Sequence, residues 1–220
     1  MADVASYLRP GGAVESDHPA VLGRAAALCQ PGQTPHERAT ALFQFVRDDI
    51  RYSMFVPFFS QEHYRASLVL ARQSGYCVQK AVALCALARA AGIPARLVFV
   101  DIRNHRAPDR VIQMMGTNLF TYHSYAELHL GSRWVAATPA FDRTTCEQHG
   151  YPLVTFDGRH DAIFPPSDDR GRPFVEYVRT HGTYPDVPLE TLLQAWRDAY
   201  GERRVAMWKQ AFVEGLVPGL

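Results

Sequence analysis

The sequence has little of several features that would assign a protein to a class at once. Its 220 residues contain only four cysteines, Cys29, Cys77, Cys85 and Cys146, and these lie far apart. Free thiols in a reducing compartment therefore fit better than a disulfide framework. There is no Cys-x-x-Cys or His-Glu-x-x-His motif, and the nine histidines are scattered. Nothing in the sequence therefore supports a metal site or implies an organic cofactor.

An excess of charge of one sign is also missing. There are 23 lysines and arginines against 22 acidic residues, which gives a formal net charge of +1 and makes nucleic acid a poor choice of partner. No apolar run is long enough to cross a bilayer, and the N-terminal stretch lacks the basic start and apolar segment of a secretory signal. We therefore expect a cytoplasmic protein with no membrane partner. The content of 47% hydrophobic and 20% charged residues is typical of one globular domain.

Two amphipathic or small-residue segments predict helices in the first half of the chain. Residues 35–53 have an apolar stripe, with Thr34 as N-cap, Pro35 at the first position and Glu37 three residues after the cap. A second helix is predicted from Cys77 to about residue 91, because Gly92 suits a left-handed C-cap and Pro94 prevents continuation. Its stripe of small residues allows another layer to approach closely.

The second half of the chain alternates strands with loops. A strand is predicted over residues 95–102, followed by a long loop with one short helical turn over 103–120. Residues 121–142 predict two strands joined at Gly131 and Ser132, a pair that favours a two-residue turn. Residues 146–186 are rich in Pro, Gly and Asp and predict an ordered loop, and the C-terminal segment predicts two helices broken near Gly201.

Cys77 is the first candidate functional residue. The start of a helix stabilises a thiolate through its unpaired N–H groups and its dipole, and the same groups can receive a developing oxyanion. Gly75 removes side-chain bulk just before it, so we expect a substrate carbonyl to approach there. Cys85 lies two turns further along the same helix with none of these features, and we interpret it as a core residue. The Cys77 thiol is therefore predicted to be the nucleophile.

His123 is the candidate base for this nucleophile. If Gly131 and Ser132 form the turn, the numbers of opposed hairpin residues sum to 263, which places His123 opposite Ala140. Period-two alternation then puts His123 on one face of the hairpin together with Thr138 and Asp142. The opposite face of the hairpin carries only apolar side chains, as expected for a face that packs on the core.

Four segments of the sequence are together similar to a known family. The segments that carry the likeness are Gly75-x-Cys77 with the helix after it, "HSYAELHLGSRWV", "TPAFD" and, upstream, "FVRDDIRYS". Together, over residues 38–142, they resemble the transglutaminase-like superfamily, and in particular its stand-alone bacterial domains. The resemblance implies an α+β fold with a papain-like core. N-terminal helices and a central cysteine-bearing helix would pack on an antiparallel sheet.

The resemblance also implies a chemistry. In this family a cysteine attacks an amide or ester carbonyl, and a histidine acts first as base and then as acid. An aspartate orients that histidine. Cys77 and His123 match the first two positions. The usual Asp-Pro-Thr is Thr138-Pro139-Ala140 here, so Thr138 occupies the position of the aspartate, and Asp142 and Asp101 are the further candidates.

These observations predict a single domain over residues 1–220. Its core would span about 35–142, and a loop-rich and helical extension over 143–220 would pack on that core. The expected activity is acyl transfer on a peptide, amide, ester or thioester through an acyl-enzyme, by a hydrolase or a transglutaminase-like transferase. The alternatives are a catalytically impaired scaffold of the same fold, and an acyltransferase or cyclase of small-molecule biosynthesis. The sequence does not indicate the oligomeric state.

Overall fold

The computed structural model describes residues 3–214 and shows an α+β fold, as expected. Short 3-10 helices at Val4–Leu8 and Gln61–Tyr64 accompany the main elements. The helices are α1 (Pro19–Leu28), α2 (Pro35–Asp48), α3 (Ala66–Arg72), α4 (Cys77–Ala90), α5 (Asp109–Met115), α6 (Arg143–His149), α7 (Leu189–Tyr200) and α8 (Glu202–Val213). The strands are β1 (Arg51–Tyr52), β2 (Ser74–Gly75), β3 (Ala95–Asn104), β4 (Leu119–Leu130), β5 (Arg133–Ala137) and β6 (Val175–Tyr184).

A four-stranded antiparallel sheet forms one layer of the protein, with the strand order β5-β4-β3-β6. Helix α4 packs across β4 and β3, and α1, α2 and α3 pack around α4. The residues of α4 from Val78 to Arg89 are all buried. The cysteine-bearing helix is therefore central, as the family resemblance implied.

The structure confirms the register of the predicted hairpin. Ala126 pairs with Ala137 and Leu130 with Arg133, so the numbers of each pair sum to 263, and Gly131 has a φ of 64° in the turn. The pairing stops at Ala126, however. Beyond it the chain of β5 turns away, and the N–H of Thr138 donates to the carbonyl of Ala162. The extrapolated pair of His123 with Ala140 is therefore not formed, and His123 pairs with Val100 of β3 instead.

The start of α2 and the end of α4 are confirmed, whereas α2 ends at Asp48 and not at residue 53, because Arg51 and Tyr52 pair as β1 with β2. The Thr34 hydroxyl accepts the N–H of Glu37, and the Glu37 carboxylate accepts the N–H of Thr34, which is a complete capping box. Helix α4 ends at Ala90, and Gly92 follows with a φ of 78°. A residue with a side chain would be strained in this left-handed conformation.

Strand β6 contradicts the loop predicted over residues 146–186. It pairs with β3 along its length, with two irregularities in the register. It is an edge strand in which half of the residues are exposed, and they lack the apolar alternation that marks a strand in a sequence. Residues 150–174, before it, lack regular helix or strand but contribute several buried aromatic side chains to the core.

The C-terminal helices α7 and α8 are divided at Gly201, as predicted. Helix α7 packs on β4, where the Trp196 indole N–H donates to the carbonyl of Thr121 and the Tyr200 hydroxyl accepts the N–H of Thr121. Of the helices within residues 3–214, none has the length and apolar character that a membrane span requires.

Candidate active site

Cys77 is the first residue of α4, and the short parallel pair of β1 and β2 places it. Tyr52 pairs with Gly75 across these two strands, which brings the loop after β1 alongside the start of the helix. A Cβ at Gly75 would lie 3.1 Å from the Cβ of Gln79, so the glycine relieves crowding inside the protein. The role expected for Gly75 in substrate approach stays a prediction.

The helix start does stabilise a thiolate, but burial outweighs it. Backbone N–H groups of Ser124, Val78 and Cys77 itself lower the pKa of the Cys77 thiol, whereas burial raises it, and the pKa ends at about 11. The N–H groups of the helix start therefore favour the thiolate, as expected, but they do not bring the pKa of Cys77 below its ordinary value. Cys77 is nevertheless partly exposed, whereas Cys85 is fully buried with a pKa raised to about 12.

His123 is buried in β4, with only 4% of its surface exposed. Its ring lies against Phe164, 5.5 Å between centroids, and burial lowers the pKa of the imidazole to about 3. The ring is therefore neutral at pH 7, as a general base must be. Cys77 and His123, both described residues, form no direct hydrogen bond, but both line the same two cavities. Catalytic hydrogen bonds are often long before substrate binds.

The backbone next to His123 is strained. Tyr122 has a φ of 58°, in the left-handed region, which is costly for an aromatic residue. The Asp101 carboxylate accepts the N–H of Tyr122 at 3.0 Å, and at 2.7 Å it also bonds Nε2 of His181, whose ring stacks on Tyr122. Asp101 thus contacts the residue preceding His123 and not the imidazole. Asp101 therefore stabilises the strained backbone at Tyr122 and does not orient the His123 ring.

Thr138 and His123 share an unusual property. Within residues 3–214, only five buried side-chain nitrogen or oxygen atoms lack a hydrogen-bond partner. His123 and Ser124, neighbours in β4, contribute two of them, and Thr138, just after β5, contributes a third. Thr138 lies near enough to the Tyr177 hydroxyl to lower the pKa of Tyr177, but the two groups form no well-aligned hydrogen bond. Buried polar atoms without partners are rare in folded proteins. The three are His123 Nε2, Ser124 Oγ and Thr138 Oγ1.

Asp142 has other partners. It is the N-cap of α6, where its carboxylate accepts the N–H and the hydroxyl of Thr145, and it also accepts the N–H of Tyr52 at 2.7 Å. These bonds lower the pKa of Asp142 despite its burial. Asp142 therefore holds the backbone of Tyr52 beside Cys77. Its hydrogen bonds make it the cap of α6 and not a residue that orients the His123 ring.

Two cavities meet at Cys77 and His123. One of about 530 Å³ is bordered by the loop after β1, the start of β4 and the helices α7 and α8, and its wall is mostly aromatic and aliphatic. The other, of about 580 Å³, lies toward α5 and α6 and includes Arg51, Asn104, Arg110 and Gln148. Cys77 and His123 thus border a more apolar cavity on one side and a more polar cavity on the other.

Tyr52 borders both cavities next to Cys77. Burial raises the pKa of its hydroxyl, and the nearness of the Cys77 sulfur raises it further. Within residues 3–214 the hydroxyl makes no hydrogen bond, since the bond of Tyr52 to Asp142 uses the backbone. It is therefore a donor without an acceptor, placed where negative charge would develop.

Comparison with known proteins agrees with this arrangement. The family model described as the transglutaminase-like superfamily matches residues 23–139, just over half of the chain. The chain belongs to the transglutaminase-like superfamily. No curated protein matches the sequence.

Two solved structures resemble this transglutaminase-like chain. A candidate cysteine protease from Cytophaga hutchinsonii is 15% identical with a TM-score of 0.55, over 87% of this chain and 50% of the other. The periplasmic domain of TgpA from Pseudomonas aeruginosa is 23% identical with a TM-score of 0.45, over 62% of this chain and 46% of the other. The chain thus spans about half the length of the solved structures it resembles. The first likeness confirms the fold.

The superfamily is one of cysteine-dependent enzymes. That Thr138 stands at the position of the family's aspartate stays a prediction from the sequence resemblance. A hydroxyl cannot stabilise an imidazolium as a carboxylate does, which agrees with the pKa of about 3 for His123. Within residues 3–214 no group of three or more His, Cys, Asp or Glu side chains could hold a metal ion.

The sequence does not reveal the walls of the site. Trp196 and Trp208 lie on the C-terminal helices and line the apolar cavity, and no motif marks them. Arg51 and Arg110 carry no motif either, so only the fold brings them to the polar cavity.

Proposed function

We propose that the protein is a cysteine-dependent acyl-transfer enzyme in which Cys77 is the nucleophile and His123 the general base. The observation that carries the proposal is the shared position of the two side chains. Both face the same two cavities, and the N–H of the residue after His123 stabilises a thiolate on Cys77.

The proposed reaction starts from a neutral thiol and a neutral imidazole. As a carbonyl carbon approaches the Cys77 sulfur, the thiol proton passes to His123 and the sulfur–carbon bond forms. The carbonyl oxygen becomes an oxyanion, which the helix N–H groups and the Tyr52 hydroxyl stabilise. His123 then gives its proton to the departing amine or alcohol, and the acyl group remains on the Cys77 sulfur as a thioester.

The second half of the reaction regenerates the enzyme. A water molecule, or an amine or alcohol acceptor, loses a proton to His123 and attacks the acyl carbon. The carbon–sulfur bond breaks, and the proton returns to the sulfur. We propose hydrolysis as the default, with an amide, ester or thioester as substrate, because no acceptor site can be assigned.

The rival function is a scaffold of the same fold without catalytic activity. Thr138 in place of the aspartate and the low pKa of His123 favour this alternative. Both features reduce the fraction of thiolate–imidazolium pair in the free protein.

Mass spectrometry of the protein treated with p-nitrophenyl acetate separates the two functions. We expect one acyl group per chain, located by proteolysis on Cys77, followed by its hydrolytic loss. Cys77→Ala should abolish the adduct, and Cys85→Ala, in the core of the same helix, should keep it. No adduct on Cys77, or one that forms no faster than on the unfolded protein, would favour the scaffold.

A further inference from the structure

The apolar cavity is a partly open cleft that distant segments of the chain build together. Its walls come from segments far apart in the chain, and the ring of Phe58 contacts the rings of Trp196 and Phe212 at 5.4 and 5.6 Å between centroids. Its volume of about 530 Å³ is in the range of small-molecule sites. The nucleophile opens into it. Large apolar side chains dominate its wall, among them Met54, Met114, Phe120, Trp196, Trp208 and Phe212.

Several polar groups on this wall are already engaged within the protein. The Arg204 guanidinium donates to the carbonyls of Met115 and Tyr200, at 3.0 and 3.3 Å. The Tyr200 hydroxyl accepts the N–H of Thr121, and the Tyr76 hydroxyl donates to that of Tyr64 at 2.7 Å. A charged group that moved past Cys77 among the large apolar side chains would lose more hydration than this largely apolar wall replaces.

The polar cavity on the other side of Cys77 differs in this respect. Arg51 and Arg110 lie on its wall, and neither makes an ion pair within the part of the chain that the structure describes. Asn104 and Gln148 add amide groups. A polar or anionic group is therefore better solvated there than in the apolar cavity.

From this asymmetry, and resting on the proposed function, we infer that the substrate is an acyl donor with a large, uncharged, apolar acyl group. The acyl chain lies in the cavity walled by α7 and α8, and the polar leaving group lies in the cavity with Arg51 and Arg110. The carbonyl carbon lies between the two cavities, at the Cys77 sulfur. This orientation assigns to the C-terminal helices the selection of the acyl group.

The test compares p-nitrophenyl esters of acetic, butyric, hexanoic and octanoic acid with an octanoic-length ester that ends in a carboxylate. Burial of one methylene is worth about 0.8 kcal/mol, so kcat/KM should rise about fourfold per methylene until the cavity is filled. The carboxylate-ended ester should react no faster than the acetate. The Cys77→Ala variant supplies the background rate.

A matched pair of variants tests the location of the chain. Ala211 of α8 lines the apolar cavity, and Gln210 beside it is exposed and does not. Ala211→Trp should lower the ratio of octanoate to acetate kcat/KM at least tenfold. Gln210→Trp should leave the ratio unchanged, and circular dichroism should show both variants folded.

The outcomes distinguish the two claims. Acylation of Cys77 at rates independent of chain length, or fastest with the carboxylate-ended ester, would overturn the acyl-group inference and leave the proposed function intact. An unchanged ratio in Ala211→Trp would overturn the location of the chain. No acylation of Cys77 by any ester would overturn the proposed function and this inference with it.

Discussion

The backbone N–H of Ser124 lies near enough to the Cys77 sulfur to lower the pKa of the thiol, so the strand that carries His123 approaches the sulfur through its main chain. This approach depends on the relative position of β4 and the first turn of α4. The strained Tyr122, held by Asp101, lies two residues before Ser124 in the same strand. The geometry of the site therefore depends on the backbone of β4 as much as on its side chains.

The first prediction concerns the thiol in the absence of substrate. Because burial raises the pKa of Cys77 to about 11, its alkylation by iodoacetamide should be slow at pH 7. The rate should rise about tenfold per pH unit up to pH 9.5, since only the thiolate reacts. Cys85, fully buried, should remain unlabelled throughout. A rate that is constant between pH 6 and 9 would show a thiolate already formed and contradict the pKa.

The second prediction concerns the residue in the aspartate position. Thr138→Asp should raise the pKa of His123, because a nearby carboxylate stabilises the imidazolium. The thiolate–imidazolium pair then becomes more populated, and alkylation of Cys77 at pH 7 should accelerate at least tenfold. Thr138→Asn, of the same shape but without charge, is the control and should not accelerate it. Equal rates in the two variants would show that residue 138 does not act on His123.

The third prediction concerns Tyr52. If its hydroxyl donates to the oxyanion, Tyr52→Phe should lower kcat by about 10²-fold to 10³-fold, with KM little changed. Tyr125→Phe is the control, because Tyr125 packs against Tyr177 and lines neither cavity. Steady-state kinetics with one activated ester measure both. A loss in KM alone would assign Tyr52 to substrate binding instead.

The sequence predicted the parts of the fold that local rules determine. The capping box at Thr34, the end of α4 before Gly92 and the hairpin register about Gly131 each depend on a few neighbouring residues. The position of Cys77 at a helix start likewise depends on its neighbours in the sequence. The outcome differs where partners are distant, as for β6, which is a strand only because it pairs with β3.

Lys80 shows the same limit within the site region. One turn after Cys77, it reads in the sequence as a surface residue, yet it is fully buried. Its ammonium group donates to the carbonyls of Arg47 and Ile50 at the end of α2, partners thirty or more residues away. Burial lowers the pKa of Lys80 to about 7, while Asp142 and Asp48 oppose the change.

The fourth prediction follows from Lys80. Its pKa is about 7 in the folded protein and near its ordinary value of 10.5 in the unfolded chain. Between pH 7 and 10.5 the unfolded chain binds the extra proton, so the free energy of unfolding should increase as the pH rises across this range. The slope is at most about 1.4 kcal/mol per pH unit. Below pH 7 Lys80 adds no further dependence.

Denaturant unfolding of wild type and Lys80→Met at pH 7, 8 and 9 measures this slope as a difference. Wild type should gain stability relative to Lys80→Met as the pH rises. Lys209→Met, which removes the exposed lysine of α8, should follow wild type at every pH. A difference between wild type and Lys80→Met that does not vary with pH would mean that Lys80 keeps its ordinary pKa.

The central claim is that His123 removes the proton from the Cys77 thiol during attack on a carbonyl. The most direct measurement is the single-turnover rate of Cys77 acylation by p-nitrophenyl octanoate at pH 7.5, followed by intact-protein mass spectrometry, in wild type and in His123→Asn. We expect the variant to fold normally and to be acylated at least 10²-fold more slowly, which is the usual contribution of a positioned general base. Equal acylation rates in the two proteins would contradict the account.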